Sequence, residues 1–164
     1  MKEIKRVRES VIAGSWYPGS KRELESMLDN FLEKTEKKDL GRIKVLIAPH
    51  AGYLYSGQVA AFSFKQVEDA DYKKVIIMGP SHRHPLLSLS IGNYTHYKTP
   101  LGEVEVSPLA KEMIRKSDLI NSIDDVHSME HSLEIEIPFL QMVLRDFEII
   151  PIVAGRLSEA QREE

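Results

Sequence analysis

A chain of 164 residues with 42% hydrophobic and 29% charged residues is the size of one domain and can bury an ordinary core. Its formal net charge of -3 offers no basic excess for nucleic acid, and no apolar run approaches the length needed to span a membrane. There is no cysteine, which excludes a disulfide framework and a thiolate zinc site. Only a short apolar patch follows the charged opening MKEIKRVRES, so no signal-peptide core is present and the expected location is the cytoplasm.

Apolar runs alternate with helical patterns, which predicts an α/β fold. Residues 20–37 read as a first helix: Ser20 and Glu23 fit a capping box, and Leu24, Met27, Leu28, Phe31 and Leu32 share one face. Residues 43–48 (IKVLIA) read as a short buried strand, followed by a loop with Pro and Gly and a helix near 57–67. Residues 74–79 (KVIIMG) are a second buried strand. Gly92, Pro100 and Gly102 punctuate short alternating runs over 86–106, as in small strands joined by turns. Ser107-Pro108 opens another helix. Residues 128–144 are helix-like, with Pro138 expected to end or kink them. Residues 147–153 (FEIIPIV) are a third core strand. The uninterrupted apolar character of the three runs predicts adjacent parallel strands covered on both faces, with helices 20–37 and 57–67 as the cover. Leu157 to Gln161 looks like a cap and first helical turn, too short to hold itself together. The expectation is a single α/β domain over 1–164 that forms the N-terminal part of a longer one, with apolar surface left open to self-association.

Two of the runs end alike. The first leads into Pro49-His50-Ala51-Gly52-Tyr53 and the second into Gly79-Pro80-Ser81-His82. In open α/β sheets the C-terminal strand edge is where ligands bind. The ends of neighbouring parallel strands lie about 5 Å apart, so His50 and His82 could share a metal ion. A single loop histidine is more often a hydrogen-bonded surface residue than a ligand, and it is the pair that favours a site. A third cluster, Asp124 to Glu134, concentrates acids and two histidines before an apolar stretch. Capping and the helix dipole explain its acids. They do not explain His131, which is expected to be neutral, hydrogen-bonded and pocket-lining. Trp16, in Gly14-Ser15-Trp16-Tyr17-Pro18, is either core packing or an aromatic wall of the cleft. His84 and His96 receive no role.

Six segments, AGSWYPGS (13–20), IAPHAGYLYSG (47–57), MGPSHRHP (78–85), YKTPLGEVEV (97–106), DDVHSMEHSLEIEIPFLQ (124–141) and IIPIVAG (149–155), resemble in this order the Memo family, protein B of the AmmeMemoRadiSam system. The resemblance implies a three-layer, mostly parallel sheet flanked by helices, similar to class III extradiol dioxygenases, which use non-haem iron(II). It implies a pocket lined by His50 and His82, bordered by Trp16, with His131 and Glu130 in the matching EHS motif. It also implies iron or copper as the metal and a third ligand in a second half beyond this chain. The iron(II) triad needs a carboxylate and a dioxygenase an acid-base residue, for which Glu130 or Asp125 are the candidates present. The functional expectation is a metal-dependent redox enzyme whose matched piece is inactive alone. The alternative is a peptide- or protein-binding module with a vestigial pocket. Family context adds a radical SAM protein as partner, and a homo-oligomer is a further expectation.

Overall fold

The computed structural model describes residues 4–163. In chain order it holds β1 (Val7–Arg8), α1 (Lys21–Glu33), α2 (Tyr53–Phe64), β2 (Lys74–Pro80), β3 (Leu89–Ser90), β4 (His96–Thr99) and β5 (Gly102–Glu105). Next come α3 (Leu109–Lys116), β6 (Ile120–Asn121), α4 (Asp124–Ser128), α5 (Ile137–Val143), β7 (Glu148–Ala154) and α6 (Glu159–Glu163). The main sheet has the order β2-β7-β3-β6 and a smaller one the order β1-β4-β5. β2 and β7 run parallel with Val75 opposite Ile149, whereas β3 runs antiparallel to β7. The molecule is therefore α/β, with mixed sheets flanked by helices.

The run at 148–154 behaves as an uninterrupted apolar sequence should. Ile149 and Val153 enter the larger core with Leu24, Leu28, Phe64 and Phe139, while Ile150 and Ile152 enter a smaller one with Ile91 and Ala110. Burial on both faces removes the polar alternation. The two long helices do not divide the faces between them. α1 and α2 pack together on the larger-core side, and α3 covers the other.

The strand expected at 43–48 is not one. These residues extend past β2 without joining either sheet, and Val45 and Ile47 point their side chains into solvent. An apolar run reports a demand for cover but not which backbone will pair with it. β2 is consequently an edge strand, half-covered, with Ile77 buried and Ile76 and Met78 exposed.

Several boundaries move for local reasons. α1 begins as expected, with the Ser20 hydroxyl accepting from the Glu23 amide (3.4 Å), but it ends at Glu33. α2 starts at Tyr53, four residues before the expected helix, because its first amide is satisfied by a distant group: Tyr53 N–H donates to the Trp16 carbonyl (2.9 Å). The helix expected at 128–144 is shortened to its second half, a 3-10 turn at Glu134–Glu136 that runs into α5. The Glu130 carboxylate accepts from the His131 and Ser132 amides (both 2.9 Å), which competes with helical bonding. Pro138 then starts α5 instead of ending a helix, since the first turn needs no proline N–H. α6 carries a reciprocal cap between Ser158 and Gln161. No helix among the described residues is long and apolar enough to cross a membrane.

Candidate functional site

β2 ends at Pro80 and delivers Ser81 and His82 to the rim of the sheet. Close approach of the 130–132 turn to this strand end requires Gly79, because a Cβ there would lie 2.5 Å from the Ser132 hydroxyl. Three bonds latch the strand end to that turn. Ser132 Oγ donates to the Pro80 carbonyl (3.0 Å), the His82 amide donates to Glu130 Oε2 (2.6 Å), and His82 Nδ1 meets Glu130 Oε1 (3.0 Å). The turn is held from behind by Arg8, whose guanidinium donates to the carbonyls of His127 (3.2 Å) and Glu130 (2.5 Å). Arg8 itself is ion-paired with buried Glu134, which also accepts from Ser10 (2.5 Å), Tyr17 (2.6 Å) and the Val11 and Ile12 amides.

Four aromatic rings converge here. Trp16 and His131 have ring centroids 4.3 Å apart, His82 and His131 4.5 Å, His50 and His82 5.3 Å, and His50 and His131 6.3 Å. Thus the side chains of His50, His82, His131, Trp16 and Glu130 lie close together at this strand end. One ligand atom each from His82, Glu130 and His131 lies within 4.8 Å of the others, so these three could hold one metal ion. His50 stands beside that group and is not part of it. Asp125 is elsewhere: it lines a separate shallow cleft with Asn93, Ser122 and Asp124.

The electrostatics fix the protonation pattern. Burial works against a charged Glu130, but hydrogen bonds from the His82 amide and ring and from Ser132 outweigh it and hold the carboxyl down at about 2. An ionised carboxylate only accepts, so His82 Nδ1 is the donor in this bond. Burial lowers the His131 pKa; the Glu130 charge opposes it, while His82 and His50 add to it. Burial and then His82 lower His50 as well. Buried His131 Nδ1 forms no hydrogen bond, although Glu130 Oε1 lies 3.4 Å away. An imidazole nitrogen without a hydrogen bond that faces a carboxylate fits the donor set of a metal site.

The other histidines have structural partners or none of interest. His127 is a core residue between Tyr97 (3.0 Å) and Ser90 (3.2 Å), with burial lowering its pKa to about 4. His96 lies next to Thr95 (2.9 Å). Sequence reasoning missed Ser132, Arg8 and Glu134. Ser132 and Glu134 lie inside the matched EHS segment, but nothing local shows that one latches a strand and the other pairs across 126 residues.

The fold and this cluster define an α/β protein with two histidines and a carboxylate grouped at a strand end, which could hold a metal ion. The chain belongs to the Memo-like protein family, whose model matches residues 8–164. It is 39% identical over 149 residues to a MEMO1 family protein of Aquifex aeolicus, covering 90% of this chain and 55% of that one. It is 35% identical over 161 residues to the protein memo-1 homolog of Caenorhabditis elegans, covering 95% and 45%. The rat protein MEMO1 shares 32% over 162 residues, covering 96% and 54%. The chain therefore spans about half the length of the curated relatives it matches.

Proposed function

We propose that the cleft is a metal centre of a redox enzyme, with iron(II) or copper held by His82, His131 and Glu130 and with His50 and Trp16 forming its wall. The observation that carries this reading is the triad of donors within 4.8 Å, one of them the orphaned His131 nitrogen. Two imidazoles and one carboxylate are the donor set of non-haem iron(II) sites with open positions. A metal so placed would supply a Lewis acid and a redox-active centre.

The chain's own residues do the preparatory work. Glu130 holds His82 beside it through the His82 amide (2.6 Å) and Nδ1 (3.0 Å), so that the two side chains are presented together. The depressed pKa of His131 keeps its ring neutral and able to ligate at neutral pH. His50, also shifted toward the neutral form, is placed to accept a proton from a group bound in front of His82.

Anaerobic titration with Fe(II), alongside Cu(II) and Zn(II), tests the centre. Binding should fall at least tenfold in His82→Ala and in His131→Ala, and less in His50→Ala. Binding that survives both of the first two substitutions would remove the centre. No binding of any metal would favour the alternative, a pocket of the same shape that captures a peptide without catalysis.

A further inference from the structure

Arg8 lies on the short strand β1, which pairs with β4, and its side chain is buried. Every nitrogen of the guanidinium has a partner. Nη1 pairs with Glu134 and donates to the Glu9 carbonyl (3.0 Å), Nε donates to the His127 carbonyl (3.2 Å), and Nη2 donates to the Glu130 carbonyl (2.5 Å). The group lies over the Tyr97 ring, its central carbon 5.7 Å from the ring centroid. The ion pair with Glu134 occupies Nη1 alone. The fork made by Nε and Nη2 is spent on two carbonyls, one in the last turn of α4 and one on the residue that carries the candidate oxygen ligand.

The second carbonyl is the informative one. Among the described residues, no other group donates to the Glu130 carbonyl. The peptide that begins with this carbonyl ends in the His131 N–H. A trans peptide is planar, with its C=O and N–H directed oppositely, so a carbonyl held on Arg8 aims the N–H away from Arg8. That N–H donates to Glu130 Oε1 (2.9 Å). The same oxygen accepts from the Ser132 amide (2.9 Å) and meets His82 Nδ1 (3.0 Å), while Oε2 accepts from the His82 amide (2.6 Å). The chain of contacts thus runs from the Arg8 fork through one peptide plane to the Glu130 carboxylate and on to His82.

We infer that Arg8 is a positioning residue for the candidate metal centre: it fixes the plane of the 130–131 peptide, and with it the direction in which Glu130 presents its carboxylate and His131 its ring. Rigid support behind a set of ligands is what holds them in register before a metal arrives. The consequence for metal affinity rests on the metal-centre reading proposed above; the hold on the peptide does not. Charge alone does not provide that hold. A lysine would keep the pairing with Glu134, but a single ammonium lacks the planar fork that grips both carbonyls.

The double variant Arg8→Met/Glu134→Gln tests the role, because it removes the fork without leaving a buried charge unpaired. Hydrogen exchange is followed in EDTA, so that the result is independent of metal. The amides of His82, His131 and Ser132 should exchange at least ~10-fold faster than in the parent, with the amides of Ile149 to Val153 in β7 unchanged. Arg8→Lys, which retains the ion pair, should show the same selective loss and decides the matter if the double variant does not fold. In anaerobic titration, both variants should bind Fe(II) at least ~10-fold more weakly than the parent. Parent-like exchange at His131 and Ser132 would overturn the inference. So would exchange that quickens equally in β7, since Arg8 would then serve the fold alone. Fe(II) affinity equal to that of the parent, in a variant whose 130–132 amides are loosened, would equally overturn it. A parent that binds no Fe(II) would remove the metal centre and leave the selective exchange at 130–132 as the deciding result.

Discussion

Glu134→Gln should destabilise this chain severely and loosen the cleft with it. Glu134 is buried, paired with Arg8, and accepts from Ser10, Tyr17 and the amides of Val11 and Ile12. Glutamine keeps the shape but strands the Arg8 charge and turns an NH2 toward donors. Breaking a buried pair by neutralising one partner costs about 3–5 kcal/mol. Domain stabilities are about 5–15 kcal/mol, so the variant stands near the edge of folding. At about 2–4 °C per kcal/mol, Tm should fall by roughly 6–20 °C. Burial opposes the Glu134 charge, yet Arg8 and the hydrogen bonds leave its pKa below the ordinary 4.5. A depressed folded pKa means stability that is present above 4.5 and lost as the pH falls through the folded value. The gap between parent and variant should therefore be widest at neutral pH and close in acid. Thermal and urea denaturation at pH 7 and pH 3 measure it, and the double variant with Arg8→Met should recover most of the loss. A single variant within about 1 kcal/mol of the parent at pH 7 would refute the reasoning, because the network would then hold nothing.

Glu130→Gln should keep the fold but weaken metal binding by at least about 10–100-fold, since the charged oxygen ligand is lost; calorimetric titration decides it. Glu136→Gln should act in the opposite sense to Glu134→Gln. Burial raises the folded pKa of Glu136 to about 8, so its contribution to stability is full below 4.5 and declines as the pH rises toward 8. The glutamine variant should flatten that decline and gain at least about 1 kcal/mol at pH 8, allowing for solvent beside the carboxyl. Denaturation midpoints across pH 5–9 that overlay for the two proteins would exclude it.

The sequence alone determined the parts of this protein that local chemistry decides. The Ser20 cap and the Leu24, Leu28, Leu32 stripe define α1 because capping and periodicity are properties of neighbouring residues. The runs at 74–79 and 147–153 pair in parallel because a helical pattern separates them and forbids a hairpin. The matching His50 and His82 motifs, with Trp16 and the Glu130-His131 pair, singled out side chains that the fold brings close together.

Tertiary structure decided what each of those residues does. The run at 43–48 reads as a core strand, yet it joins neither sheet. Pro138 opens α5 because Glu130 has already taken the preceding amides, a competition invisible to helix periodicity. Of the three clustered histidines, His131 completes the donor triad because the 130–132 turn latches onto β2, while His50 sits beside it on a segment that no strand holds. Glu134 looked like an ordinary acid near a helix start; its weight comes from Arg8, 126 positions away. A sequence shows which side chains can ligate or pair, whereas distances of 3–5 Å between elements far apart along the chain exist only once the sheet and its turns have closed.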